Sequence, residues 1–244
     1  MNLYIYEETT STNDLARSST FRHLDTIWAY SQSAGRGQRG NKWVGGIGEN
    51  LTFTILLEPT FLKASEQFLV SQITALSLCE AMSHFGIETK IKWTNDIYVG
   101  EKKMAGILIE NSITPDSLTR SIIGIGLNIN QLEFDPSLPN PTSMRSVTGR
   151  RFSCEEVLRR VHSSLCEWCE RLRGGDRELI NSKYHSLLYR LGESHNFKLP
   201  SGELIEATIE GVAPHGELLL RHSDGHKRGY LFREVEFVIE SRGR

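Results

Sequence analysis

Between residues 65 and 85 the apolar side chains Phe68, Ile73, Leu76 and Ala81 recur at close to helical spacing, and beyond Gly86 the apolar period falls to two. Gly86 supplies the stop, because a glycine takes the left-handed conformation that ends a helix. A long helix followed by a run of strands restricts the chain to folds in which helices pack on a sheet. The strands are placed at 89–93, 97–99, 102–111 and 121–129, with Gly100-Glu101 as a tight turn that makes one antiparallel hairpin.

Upstream, a strand at 3–6 leads into Ser11-Thr12-Asn13-Asp14, a cluster of N-cap residues that opens a helix through Ala16, and further strands fall at 26–31 and 51–57. Downstream, a Pro-containing connection over 135–141 precedes the capping box Ser153-Cys154-Glu155-Glu156, which starts a helix ending near Gly174-Gly175; another covers 176–188. After Leu191-Gly192 the texture changes to short strands separated by Pro200-Ser201-Gly202, Pro214-His215-Gly216 and Ser223-Asp224-Gly225. That pattern suggests a small β-barrel of about fifty residues, and it divides the chain into domains at 1–190 and 191–244.

At 244 residues with 39% hydrophobic content, the chain has enough apolar material for one large domain and a small one. A net charge of −2 argues against the broad basic surface of a nucleic-acid binder. Apolar runs fall short of a membrane span, and the first residues lack the basic and apolar regions of a signal peptide, so the expected location is the cytoplasm. The four cysteines, Cys79, Cys154, Cys166 and Cys169, are too sparse for a disulfide scaffold and are expected as free thiols. Cys166-Glu167-Trp168-Cys169 has zinc-like spacing with His162 one turn earlier, but no second pair completes four ligands. These thiols read as small residues packed on a helix face.

Four segments carry candidate chemistry. Gly35-Arg36-Gly37-Gln38-Arg39-Gly40-Asn41-Lys42-Trp43 combines three cations with three glycines and no acid, as an anion-wrapping loop would; a flexible solvated turn has the same composition. Three more glycines, Gly45, Gly46 and Gly48, suggest a lid whose ordering depends on ligand. It is not a Walker loop, since Asn41 separates the last glycine from Lys42 and Trp43 follows. The second segment, Lys90-Ile91-Lys92-Trp93-Thr94-Asn95-Asp96, puts two cations on one strand face and ends in oxygen ligands suited to Mg²⁺, although Asn-Asp is also a common turn.

In the third, Lys102-Lys103-Met104-Ala105-Gly106-Ile107-Leu108-Ile109-Glu110, strand alternation places Lys103 with Ala105, Ile107 and Ile109, directing its ammonium toward an apolar surface. Such a lysine either holds a carboxylate or snorkels from a strand end. Gly106 allows backbone to meet ligand. In the fourth, Gly124-Ile125-Gly126-Leu127-Asn128-Ile129-Asn130, two glycines open a surface and Asn128 offers donor and acceptor to a base edge. This last segment lacks the third glycine of a dinucleotide fingerprint.

Taken together, Ser11-Thr12-Asn13, Ser33-Ala34-Gly35-Arg36-Gly37-x-x-Gly40-x-x-Trp43, Lys92-Trp93-x-Asn95-Asp96, Lys103-x-Ala105-Gly106-Ile107-Leu108 and Gly126-x-Asn128 resemble the biotin protein ligases in order and spacing. The likeness covers most of residues 1–190 and, more loosely, a C-terminal SH3-like module. It implies a mixed-sheet α+β catalytic domain akin to class II aminoacyl-tRNA synthetases and lipoate ligases. The implied reaction couples biotin and ATP to biotinyl-AMP, then moves biotin to a lysine of a biotin carboxyl carrier protein or domain.

By position, the resemblance implies catalytic roles for Lys103 and Arg36. It places Ser11, Thr12, Asn13, Gln32, Gly35, Arg36, Lys103 and Gly106 around biotin. Arg39, Lys42, Trp43, Asn95 and Asn128 would serve the nucleotide, and Asp96 the Mg²⁺. Gln38 and Asn41 stand where the pattern often has arginine, and Arg39 is expected to restore the charge at Gln38. No nucleic-acid or membrane partner is expected, because the catalytic pattern begins within about ten residues of Met1 and leaves no room for a helix-turn-helix. A monomer or a homodimer is expected. The rival readings are a lipoate or octanoate ligase on the same fold, and a non-catalytic biotin-binding regulatory protein.

Overall fold

A computed structural model describes residues 1–239 apart from Asn41, Val44 and Ile47; the Arg39 side chain and residues 240–244 also lie outside the described part. The elements run β1 (Leu3–Thr9), α1 (Thr12–Leu15), β2 (Thr26–Gln32), β3 (Leu51–Leu57), α2 (Phe68–His84), β4 (Lys90–Lys92), β5 (Asp96–Val99), β6 (Lys102–Ile113), β7 (Leu118–Leu127), α3 (Met144–Thr148), α4 (Cys154–Arg173) and α5 (Arg177–Ser186). There follow β8 (Ser194–Lys198), β9 (Leu204–Val212), β10 (Leu218–His222), β11 (Lys227–Tyr230) and β12 (Glu236–Phe237). The α+β class and the order of elements match the pattern in the sequence. The long helix starts late, at Phe68 after a 3-10 turn over Ala64–Glu66, and α3 had no periodic signal to announce it.

The first sheet has seven strands in the order β1-β2-β3-β7-β6-β5-β4 and is mixed, because β1 runs parallel to β2 while the other pairs are antiparallel. One face is covered by α2, which is buried on nearly all sides and therefore lacks a polar stripe. Against α2 lies α4, whose Val157, Leu158, Val161, Leu165, Trp168 and Leu172 form one apolar stripe at helical spacing. Ser153 caps α4 by accepting a hydrogen bond from the Glu156 amide, as the capping box predicts. Strand residues Phe53, Ile55, Ala105, Ile107, Ile123 and Ile125 point into this core.

Alternation gives the opposite face to Thr52 and Thr54 of β3, Gly124 and Gly126 of β7, and Gly106, Leu108 and Glu110 of β6. The register pairs Gly106 with Gly126 and Thr52 with Gly126, then Leu108 with Gly124 and Thr54 with Gly124. The glycines leave a trough with almost no side-chain volume in the middle of an otherwise well-filled sheet.

The second sheet is antiparallel, five strands in the order β11-β10-β9-β8-β12. Among the described residues this order is open, with β11 and β12 at its edges, so the barrel expected from the turn spacing is seen as an open antiparallel sheet. The segment joining the two sheets pairs with edge strand β4: the Ile91 amide donates to the Leu187 carbonyl at 2.8 Å, and the Tyr189 amide donates to the Ile91 carbonyl at 2.9 Å. Trp93 ties the second sheet to the first by donating its indole N–H to the Gly216 carbonyl at 2.8 Å. Gly216 has φ +100°, and a Cβ there would sit 2.8 Å from the Phe68 ring, so both backbone and space call for glycine. Among the described residues no helix is long and apolar enough to cross a membrane.

Candidate active site

A cavity of about 770 Å³ opens on the glycine trough. Its wall includes Ser11, Thr12, Asn13, Gln32, Arg36, Lys42, Trp43, Asn95, Asp96, Lys103, Gly106 and Asn128, so residues spread over more than a hundred positions meet in one place. Of the residues singled out from the sequence, Gly35 lies buried behind this wall, and the Arg39 side chain and Asn41 fall outside the described residues.

The floor is built from small residues and a tight polar network. Gln32, at the end of β2, accepts from the Thr12 amide at 2.8 Å and from the Thr12 hydroxyl at 3.2 Å. The Thr54 hydroxyl lies 2.7 Å from Asn13 Oδ1 and 2.8 Å from Thr12 Oγ1. Asn13 donates from Nδ2 to Glu110 Oε2 at 3.0 Å. A Cβ on Gly124 would stand 2.3 Å from Asn13 Oδ1, so this glycine is the space in which Asn13 lies. A Cβ on Gly126 would stand 2.1 Å from the Trp43 ring, which rests on that glycine in the same way.

Lys103 is in the cavity, but not by the alternation expected from the sequence. That reading grouped it with Ala105, Ile107 and Ile109, whereas Ala105 and Ile107 point into the helix-covered core. The pairing of β5 with β6 shifts register: Asp96 faces Gly106 and Ile97 faces Ala105, but Tyr98 faces Lys103, leaving Met104 as the extra residue of a bulge. Asp96 and Tyr98 share a face of β5, so the bulge puts Lys103 on the Gly106 face. A Cβ on Gly106 would be 3.2 Å from Lys103 Nζ and 3.3 Å from the Trp43 ring. The Lys103 backbone is held on its other side, its N–H donating to the Asn140 carbonyl at 2.8 Å and its carbonyl accepting from the Thr142 amide at 2.9 Å. Its ammonium lies 2.6 Å from Asp96 Oδ1.

The second cationic segment divides. Lys92 reaches the cavity, its Nζ 4.6 Å from the centre of the Phe237 ring and 5.5 Å from that of Tyr98, while exposed Lys90 donates to the Ser186 carbonyl at 3.2 Å. Asn95 donates its amide to the Ile107 carbonyl, across the same strand pair in which the Ile107 amide donates back to Asn95. Asn128 is buried and donates one Nδ2 hydrogen to the Thr142 carbonyl at 2.9 Å, which fixes the side chain at the cavity wall. Gln38 accepts from the Thr94 hydroxyl at 3.4 Å.

The basic glycine loop folds back on itself. Arg36 pairs with Lys42 in an antiparallel bridge, the Trp43 amide donates to the Gly35 carbonyl at 3.0 Å, and a 3-10 turn over Gln38–Gly40 makes the tip. Gly35 is required at the root, because a Cβ there would be 2.5 Å from the Trp43 carbonyl oxygen. The Arg36 guanidinium donates to Glu110 at 3.0 and 3.3 Å and to Asp14 at 2.8 Å, so its charge is met by two acids.

Sequence reasoning missed four contributors. Thr54 and Glu110 hold other groups in place, and Glu110 was legible, since alternation from Gly106 through Leu108 reaches it. Tyr98 also lines the cavity, and burial pushes its phenol up to about 12, so it stays protonated near neutral pH. The fourth contributor is the second sheet with the segments flanking β12, which bring Phe232, Val235, Glu236, Phe237 and Ile239 to the cavity wall from a region with no recognised pocket motif.

The biotin/lipoate A/B protein ligase family matches residues 4–128. A biotin–[acetyl-CoA-carboxylase] ligase of Paracoccus denitrificans is 29% identical over 210 residues, spanning 82% of this chain and 85% of the relative. The bifunctional ligase/repressor BirA of Bacillus subtilis is 28% identical over 212 residues, which are 84% of this chain and 63% of that longer protein. Among solved structures, the biotin protein ligase of Aquifex aeolicus in complex with biotin and ATP is similar with a TM-score of 0.82 and 26% identity, covering 98% of this chain and 99% of that one.

Proposed function

The chain belongs to the biotin/lipoate A/B protein ligase family, and from that premise we propose that its cavity activates biotin with ATP as biotinyl-AMP, releasing pyrophosphate, and then passes biotin to a lysine of a carrier domain. The observation that carries this reading is the placement of Lys103 over Gly106, between the Trp43 ring and Asp96. That arrangement puts a cation at a glycine-lined floor, which supports a site that joins a carboxylate to a phosphate.

In the first step a biotin carboxylate oxygen bonds to the α-phosphorus while the bond to pyrophosphate breaks. Both reactants are anions, so positioning and neutralisation are the protein's main contributions. Lys103 neutralises the carboxylate and the charge that develops on phosphorus, and Lys42 and Lys92 add positive charge along the wall. Ser11, Thr12, Asn13 and Gln32 hold biotin, with the backbone of Gly35 and Gly106 allowing its close approach. Trp43 offers a ring face to the nucleotide. Arg36 acts through the loop it anchors, its guanidinium being engaged by Glu110 and Asp14.

Asp96 is the carboxylate suited to Mg²⁺, an ion that typically takes one or two carboxylates alongside phosphate and water oxygens. When bound, Mg²⁺ supplies neutralisation of the phosphate oxygens. Asn95 fits that role less well, because its amide oxygen is neutral and already accepts from the Thr94 hydroxyl at 3.1 Å. In the second step the carrier amine attacks the acyl carbon, AMP leaves with the bonding electrons, and the proton lost by the new amide nitrogen goes to solvent. Tyr98 keeps its own proton and so does not take one from that amine.

We divide the chain at residue 191 and read the C-terminal sheet as the SH3-like module of these ligases; its short strands and tight turns support this. The acceptor is a biotin carboxyl carrier domain in a cytoplasmic setting. Incubating the protein with ATP, Mg²⁺ and biotin, lipoate or octanoate in parallel, and weighing the products, tests the reading. Biotinyl-AMP in the biotin arm is the expected product. A lipoyl or octanoyl adenylate in its place reassigns the substrate, and no adenylate in any arm removes the ligase function.

A further inference from the structure

Four donors from two separate segments converge on one carboxylate that the reaction itself does not use. Glu110 Oε2 accepts from Asn13 Nδ2 at 3.0 Å and from Arg36 Nη2 at 3.0 Å; Oε1 accepts from Arg17 Nη2 at 2.7 Å and from Arg36 Nη1 at 3.3 Å. We propose that Glu110 is a positioning residue for biotin, fixing the amide of Asn13 and the root of the basic glycine loop in one geometry. The proposal rests on the ligase reading and deepens it.

The case for Asn13 comes from donor and acceptor chemistry. Asn13 is 3% exposed, with Oδ1 facing the Thr54 hydroxyl and Nδ2 facing Glu110. A hydroxyl tolerates either end of an amide, but an ionised carboxylate only accepts. Glu110, with the Leu108 carbonyl that accepts from the same Nδ2 at a longer 3.4 Å, therefore decides which end of Asn13 points into the sheet and which atoms remain toward the cavity. For the loop, Glu110 and Asp14 grip the Arg36 guanidinium from two sides. The backbone of Arg36 pairs with Lys42, and Gly35 takes the Trp43 amide, so a hold on Arg36 is transmitted to both strands of the loop.

A purely structural role is a weaker account of the same contacts. The side chains of Arg17, Arg36 and Asp14 are 57%, 38% and 44% exposed, and ion pairs in such settings add little stability. What the cluster does well is restrict orientation.

The test is biotin-dependent pyrophosphate exchange by the full chain, titrating biotin at saturating ATP and ATP at saturating biotin. Glu110→Ala is expected to raise KM for biotin about tenfold and KM for ATP less than about threefold, because the lost contacts lie on the biotin side. Glu110→Gln keeps an acceptor for Asn13 but lacks the charge that grips Arg36, and should raise KM for biotin by roughly threefold. Arg17→Ala, touching only the outer oxygen, should stay within about twofold. If Glu110→Ala does not fold, Glu110→Gln carries the test through its near-identical shape. A biotin KM unchanged in the folded variants, equal rises in both KM values, or a fall in kcat alone would each overturn the positioning role while leaving the ligase reading intact. Absence of exchange in the unaltered chain overturns that reading and this proposal with it.

Discussion

Lys103 Nζ lies 2.6 Å from Asp96 Oδ1, so the cation assigned to the carboxylate and the acid assigned to the metal are each other's partners across the β5–β6 pair. Side chains that are 33% and 18% exposed make this more than a loose surface contact, and the short distance keeps the ammonium above Gly106 rather than along the strand edge.

Replacing Lys103 with alanine removes the cation proposed to neutralise the carboxylate and the developing phosphoryl charge. Biotin-dependent pyrophosphate exchange is expected to fall by about 100-fold or more, the scale typical for a lost transition-state contact. The circular dichroism spectrum should be unchanged, because Lys103 is held by backbone hydrogen bonds that alanine keeps. Exchange within about threefold of the unaltered chain would remove Lys103 from the mechanism.

Gly124→Ala tests the trough. A methyl group there meets Asn13 Oδ1 at 2.3 Å, and Asn13 is enclosed by Thr54 and Glu110, so the amide must be displaced. Weaker biotin binding is expected, together with a loss of stability of about 1–3 kcal/mol from overpacking. Isothermal titration that gives an unaltered biotin Kd would show that Asn13 has room to move without consequence.

Trp93→Phe tests the join between the sheets. The substitution deletes the hydrogen bond to the Gly216 carbonyl and leaves an edge contact with Phe232, whose ring centre is 6.5 Å away. Unfolding in urea should show about 1–2 kcal/mol less stability, from a lost hydrogen bond and a smaller buried ring. Because Phe232 lines the cavity, KM for ATP or biotin should rise as well. Stability and both KM values unchanged would mean that the join is held elsewhere.

His162 predicts the acid side of the stability profile. Burial holds its imidazole below the usual 6.5, so the folded ring stays neutral under conditions in which the unfolded chain takes up a proton. Stability is therefore full above about pH 6.5 and declines as pH falls toward the lowered folded value. His23 and His222 shift in the same direction, chiefly through burial, and add to the slope. His162→Gln retains a donor for the Leu24 carbonyl, which Nε2 now faces at 3.1 Å, and cannot titrate. Its urea midpoint should fall less between pH 7 and 5.5 than that of the unaltered chain; an identical fall would assign the slope to other groups.

Much of this was legible in the sequence because it is local. Apolar spacing placed α2 and the strands of the larger sheet, the Ser153 capping box placed the start of α4, and the glycine-rich motifs marked the segments that line the cavity. Hydrophobic period, capping chemistry and glycine freedom act over a few residues and do not depend on distant partners. Tertiary structure alone decided the face on which Lys103 stands, because the bulge at Met104 exists only in the pairing of β6 with β5, and one extra residue reverses every side chain beyond it. It also decided that Arg36 meets Glu110, 74 positions away, and that Phe232 and Phe237 of the second sheet close the cavity. Such contacts follow from strand order and sheet packing, which bring together residues whose local sequence holds no trace of one another.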